Sequence, residues 1–285
     1  MLLGILVASA LAGAPQLRMV VNVPAYRLDV YLADSLVART PVAVGMRTHP
    51  TPRGTFAITS VEWNPWWNPP DEPWAAGQRL TPPGPDNPMG RVKLNFRPLY
   101  YMHGTPLEAS IGSAASHGCI RLRNESAIAL AELVERFSAS PLSSDAIARI
   151  TAAHDTRTIL VDPPVPVEVR YDLVEVLAER VFVYRDIYGL GTRTLARAVV
   201  DALGSQGIES QFVDTVQVRS LVQHVGASGK SAAIADLLLP LPSGDRGWEP
   251  RDALKIKHAR DAADTGRWRG GSMADANECS DARHR

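Results

Sequence analysis

One cysteine, two histidines and two glycines crowd into two short stretches of this 285-residue chain, His103-Gly104-Thr105 and Ser116-His117-Gly118-Cys119-Ile120-Arg121, with twelve residues between His103 and Ser116. A thiolate is a strong nucleophile, and a nearby imidazole can take its proton. Gly118 lets backbone approach Cys119 without a side chain in the way. Backbone N–H groups around Gly118 and Cys119 could then hold a developing oxyanion. Together these are the parts for acyl transfer through a thioester. A lone thiol is more often buried and inert, but this one carries flanking histidines and glycines.

Such residues need a rigid frame, and the upstream sequence predicts strands. Stretches 18–23, 28–32, 36–44 and 55–61 alternate apolar and polar positions, with Pro24-Ala25-Tyr26 and Ala33-Asp34-Ser35 as turns. Period-2 patterning with turns every eight to twelve residues points to a β-sandwich-like domain. Stretches 91–95 and 99–102 continue it, so His103 falls at a strand end. Asn124 is expected to cap a helix whose stripe is Leu130, Leu133, Val134 and Phe137. A second short helix is expected over 145–153. Pro163 to Val169 reads as an edge-like extended segment, where proline is tolerated. The Trp- and Pro-rich stretch 63–74 reads as a stiff loop whose rings mostly pack on the sheet, with a wall of the substrate cleft as the other reading.

The two stretches, with Val20-Val21-Asn22-Val23, Pro41-Val42-Ala43-Val44-Gly45, Thr51-Pro52-Arg53-Gly54 and Gly84-Pro85-Asp86-Asn87-Pro88-Met89-Gly90 in order before them, resemble the L,D-transpeptidase catalytic domain. The resemblance implies a mainly β fold with one or two short helices. It implies Cys119 as nucleophile and His103 as base, with Gly118 contributing a backbone oxyanion donor and His117 as auxiliary. Arg121, Ser116, Gly104 and Tyr101 are the expected substrate contacts. It also implies peptidoglycan stem peptides as substrate. The terminal D-alanine leaves, and an amine acceptor resolves the thioester: a neighbouring stem or an envelope lipoprotein. Water as acceptor would make the protein an L,D-carboxypeptidase. No cofactor is implied.

The residues themselves leave alternatives open. His117, two positions from Cys119, could be the base instead of His103. Arg121 has the planar fork that grips a carboxylate, or is a surface charge. Ser116 could simply close the turn. His103, His117 and Cys119 could bind zinc as an open hydrolase site. A catalytically idle wall-binding module would be expected to have lost Cys119 or His103, and both are present.

Composition bounds the rest. Thirty basic residues balance thirty acidic ones, which gives no electrostatic footprint for nucleic acid. Only two cysteines occur, Cys119 and Cys279, too few for a disulfide framework. The apolar start, 1–14, reads as a secretory signal peptide ending in Ala10-Leu11-Ala12, too short to span a bilayer. No later stretch is apolar for long enough to cross one. The expected organisation is a signal peptide at 1–14, a catalytic domain at 17–190, a small helical region at 191–241 and a disordered tail at 242–285. The expected location is the periplasm or cell envelope.

Overall fold

The computed structural model describes residues 16–139 and 141–239. The expected signal peptide and tail, with Cys279, lie outside the described residues.

Alternating sequence becomes one large sheet. Its strands are β1 (Leu17–Asn22), β2 (Arg27–Leu32), β3 (Ser35–Pro41), β5 (Gly54–Trp63), β6 (Val92–Arg97), β7 (Tyr100–Thr105), β9 (Ile120–Arg123) and β10 (Arg157–Arg170). They lie in the order β3-β2-β1-β10-β5-β6-β7-β9. The short strands β4 (Val44–Gly45) and β8 (Ala114–Ser116) form a separate parallel pair. The mainly β expectation holds, with two helices in this half: α1 (Asn124–Arg136) and α2 (Ser144–Ala152).

Helix α1 forms for the reason its stripe suggests. Ala127, Leu130, Ala131 and Val134 recur at helical spacing and are buried against the sheet. They join Val61, Trp63, Val92, Leu94, Met102, Ile120 and Leu122, alternate positions of β5, β6, β7 and β9. The opposite face of those four strands is left for polar side chains.

Two local expectations are corrected. Asn124 does not cap α1; Arg123 holds the cap position with no side-chain bond. The Asn124 side chain instead accepts from the Arg91 N–H at 3.1 Å and donates to the Thr105 carbonyl at 3.3 Å. It stitches the end of β7 to the loop before β6. The proline-rich stretch is no edge either: β10 is internal, paired with β1 and β5. Pro163 and Pro164 fall where the register shifts between Leu160 and Val165, so their missing N–H groups cost no ladder bond.

A second core starts earlier than the expected boundary near 190. Strands β11 (Val174–Leu177), β12 (Arg180–Val183) and β13 (Lys230–Ala233) form an antiparallel sheet packed with α3 (Leu195–Ser205) and α4 (Thr215–Val222). Val181 and Val183 face Val199, Leu203, Val218, Leu221, Ile234 and Leu237 in that core. The region is therefore mixed, not purely helical: β13 is followed at once by a 3-10 turn, Ile234–Leu237. Thr194 and Asp214 cap α3 and α4 through their side chains.

Arg27 joins the two cores. It donates to Asp29 at 3.0 Å, to Glu175 at 2.9 Å and to the Tyr184 hydroxyl at 3.0 Å. Buried Asp29 also receives Arg39 at 2.6 Å. Charges this far out of water persist only when paired.

Trp63, fully buried, donates its indole N–H to Glu135 Oε1 of α1 at 2.6 Å. Burial raises the Glu135 pKa and the Trp63 hydrogen bond opposes the rise. Trp63→Phe should lower stability by about 1–3 kcal/mol for the orphaned acceptor, with a cavity contribution on top. Chemical denaturation monitored by circular dichroism would detect it; an unchanged midpoint would show that the bond is not structural.

Candidate active site

Strand register decides which side chains meet. In the parallel pair of β7 with β9, Met102 lies opposite Ile120 and His103 opposite Arg121. One step earlier, Tyr101 lies alongside Cys119. Side chains alternate along a strand, so Tyr101, His103, Cys119 and Arg121 share the face away from α1. Antiparallel pairing of β6 adds Lys93 opposite His103 and Asn95 opposite Tyr101. Lys93 pairs with Glu62 of β5 at 3.1 Å and sits 4.9 Å from the Tyr101 ring centre. Asn95 donates to Ser60 at 2.8 Å. The polar face thus runs from Cys119 across four strands.

β9 would be an exposed edge, but Ala43 covers it through two 2.9 Å backbone bonds with Arg121. The neighbouring loop also holds the cysteine turn, through the Met46 N–H donating to the Ser116 carbonyl at 2.8 Å.

The turn itself is closed by Ser116. Its hydroxyl donates to the Cys119 carbonyl at 2.5 Å and accepts the Gly118 N–H at 3.1 Å. Ser116 is buried, so it shapes the turn and offers no free hydroxyl to a substrate. The Gly118 N–H is engaged too, which removes it as the expected oxyanion donor. Gly118 is required for another reason. Its φ is 107°, and a Cβ there would lie 2.6 Å from the Tyr100 ring.

His103 is buried, and its Nδ1 lies 2.6 Å from the Gly104 carbonyl oxygen. A carbonyl only accepts, so Nδ1 carries the proton and Nε2 presents a lone pair. Gly104 therefore orients the imidazole; it is buried, and a Cβ there would collide with the Asn124 side chain. Burial pushes the His103 pKa down to about 4, with Arg121 and Lys93 adding to the fall and the Gly104 bond opposing it. The imidazole is neutral at ordinary pH.

Cys119 Sγ is held 3.9 Å from the Leu99 carbonyl, and the residue keeps partial solvent exposure. Burial of the thiol raises its pKa. The Tyr101 backbone N–H, Arg121 and Lys93 pull the other way. The resting pair is thus a neutral thiol and a neutral imidazole, not a preformed ion pair. Among the described residues neither imidazole is hydrogen-bonded to Sγ; such contacts tighten when substrate binds.

His117 points elsewhere. Its ring stacks on Trp74 at 3.8 Å and 10°, with His49 edge-on at 4.8 Å. The left-handed φ of Gly118 breaks the extended geometry that would have set His117 and Cys119 side by side. Among the described residues no group of three or more His, Cys, Asp or Glu could hold a metal ion, so the zinc reading has no ligand set here.

Sequence reasoning singled out Cys119, His103, Arg121 and Tyr101, which the fold sets on one face of the sheet. It missed Lys93 and His49, and did not single out Trp74 from the other tryptophans. Trp63 and Trp67 are buried, whereas Trp74 stacks on His117 beside the cysteine turn.

The family model for the YkuD L,D-transpeptidase catalytic domain matches residues 16–169. The chain belongs to the L,D-transpeptidase catalytic domain family. The Escherichia coli K12 protein named "Probable L,D-transpeptidase ErfK/SrfK" is 39% identical over 117 residues, covering 37% of each chain. The protein named "Probable L,D-transpeptidase YbiS", from the same strain, is 38% identical over 115 residues, covering 37% of this chain and 38% of its own. The matches thus span little more than a third of those relatives. The solution structure of the catalytic domain from an E. faecium L,D-transpeptidase overlaps 55% of this chain and 98% of its own, at 16% identity and a TM-score of 0.37.

The electrostatics of this L,D-transpeptidase domain make a pH prediction. The depressed His103 pKa keeps this imidazole, the expected base, unprotonated well below the usual histidine value of about 6.5. The acid limb of its pH–rate profile should therefore fall near 4. The raised thiol pKa places the midpoint for Cys119 alkylation by iodoacetamide above the ordinary cysteine value of about 8.5. An acid limb well above 4 would point instead to the less buried His117, whose pKa is lowered by burial, His49 and Arg121.

Proposed function

We propose that the chain is a cysteine acyltransferase working on peptidoglycan stem peptides outside the cytoplasm. The observation that carries this reading is the fixed tautomer of His103, whose Nε2 lone pair stands on the same sheet face as Cys119. In this mechanism Sγ attacks the carbonyl of the third residue of a tetrapeptide stem while its proton passes to His103 Nε2. The tetrahedral intermediate collapses, His103 returns the proton to the amine, and D-alanine leaves. An acceptor amine then attacks the thioester, gives its proton to His103 and regenerates the thiol. The Cys119 N–H is the nearest candidate oxyanion donor, since that of Gly118 is engaged. Arg121 and Lys93 offer the substrate carboxylates a cationic wall.

The acceptor is a neighbouring stem or a lipoprotein side chain; with water the same enzyme is an L,D-carboxypeptidase. Export is supported by the apolar stretch at 1–14. Among the described residues no helix is long and apolar enough to cross a membrane.

Defined stem tetrapeptides, with and without an amine acceptor, test the reading by mass spectrometry of the products. Cys119→Ala should end D-alanine release in a folded protein, and Cys119→Ser nearly so. His103→Ala should lower the rate by on the order of a hundredfold or more, and His117→Ala by less. The reverse order for the histidines would reassign the base, and activity in Cys119→Ala would end the thioester mechanism.

A further inference from the structure

Residue Tyr188 lies beyond the segment matched by the family model, yet its side chain reaches the frame of the cysteine turn. It follows β12 and its ring is buried in the main core, not the second one. The hydroxyl donates to the Gly45 carbonyl at 2.7 Å and accepts the Thr51 N–H at 3.1 Å. Thr51 Oγ1 in turn accepts the Gly45 N–H at 2.8 Å. One phenol and one threonine therefore close the 45–51 loop at its neck. The neck is tight: a Cβ on Gly45 would collide with backbone atoms of His49, Pro50 and Thr51.

That loop touches the site at three points. The Met46 N–H holds the Ser116 carbonyl. The Pro50 carbonyl packs against Gly118, 3.4 Å from where a Cβ would stand. His49 buttresses His117 edge-on. Tyr188 is itself fixed. Its ring stacks on Tyr171 at 5.3 Å, and its N–H donates to the Tyr171 hydroxyl at 2.6 Å. Tyr171 donates to Asp186 at 2.6 Å, and Asp186 accepts the N–H groups of Leu190 and Gly191 at 3.0 and 2.8 Å. The anchor is rigid before it meets the loop.

We propose that Tyr188 is a positioning residue: its hydroxyl, clamped between Gly45 and Thr51, sets the height of the Ser116–Cys119 turn against β7. The segment 171–191 thereby completes the active site from outside the matched domain. The thiolate is stabilised by the Tyr101 N–H, Arg121 and Lys93, all fixed on the sheet, so a displaced turn changes how well they reach Sγ. The proposal rests on the reading of Cys119 as the reacting group, not on which peptide it reacts with.

The test is the pH dependence of Cys119 alkylation by iodoacetamide in the full chain, alongside thermal unfolding. Tyr188→Phe keeps the ring and removes only the clamp. Thr51→Ala removes the other half of the neck and keeps the backbone. Both should move the alkylation midpoint away from wild type while unfolding stays cooperative. Tyr184→Phe is the control. It removes a hydroxyl bonded to Arg27 and Glu175 at the join between the two cores, away from the neck, and should leave the midpoint in place. Where stem peptides turn over, Tyr188→Phe should lower kcat by about tenfold or more with KM within about twofold, since small misplacements of reacting groups are expensive in rate. Unmoved midpoints in both variants overturn the proposal, and so does an equal shift in Tyr184→Phe. If wild type releases no D-alanine but the midpoints still move, the proposed function fails and the positioning role stands.

Discussion

The parallel register of β7 on β9 is the constraint on which this molecule depends. It sets His103 beside Arg121 and brings Tyr101 alongside Cys119. A slip of β9 by one residue would turn Cys119 and Arg121 into the α1 core and bring Ile120 and Leu122 out. Burial of Met102, Ile120 and Leu122 against Ala127, Leu130 and Val134 therefore specifies the site as firmly as it specifies the fold. At roughly 1.5–3 kcal/mol for each large apolar side chain, the wrong register is heavily disfavoured. Ala43, Ser116 and Asn124 then hold the ends in place.

Much of this was legible because it is local. The stripe of α1, the alternation in β1, β2 and β5, and the cysteine flanked by glycine and histidine are all patterns within a few residues. What escaped is long-range. The proline-rich stretch reads as an edge because sequence cannot show that its two adjacent prolines fall in a bulge. Asn124 has the right chemistry for a cap, but the end of β7 and the loop before β6 compete for it and win. Trp74 looks like its neighbours until the fold stacks it on His117. Nothing near Tyr188 hints that its hydroxyl meets Gly45, 143 positions away in sequence. Gly118 reads from sequence as a point of close backbone approach and an N–H donor; its φ and the Tyr100 ring, which only the fold shows, are what demand a glycine there.

The site also departs from the picture of a preformed thiolate. Burial acts on both partners, lowering the imidazole pKa and raising that of the thiol, and both shifts favour the neutral pair. Arg121 and Lys93 favour a thiolate but disfavour an imidazolium, so they do not restore the ion pair. A neutral resting thiol is less open to stray alkylation and oxidation. In the proposed mechanism the proton moves only when substrate brings His103 and Sγ together, which suits a reaction that needs the base only at the moment of attack.

The central claim is a covalent acyl group on Cys119. Its most direct test is intact-protein and peptide mass spectrometry after rapid acid quench of the enzyme with a stem tetrapeptide and no amine acceptor. The account predicts a transient mass increase equal to the tripeptide acyl group, mapped to the peptide containing Cys119 and lost on treatment with hydroxylamine. Release of D-alanine with no adduct at any quench time, or an adduct mapped to another residue, would contradict it.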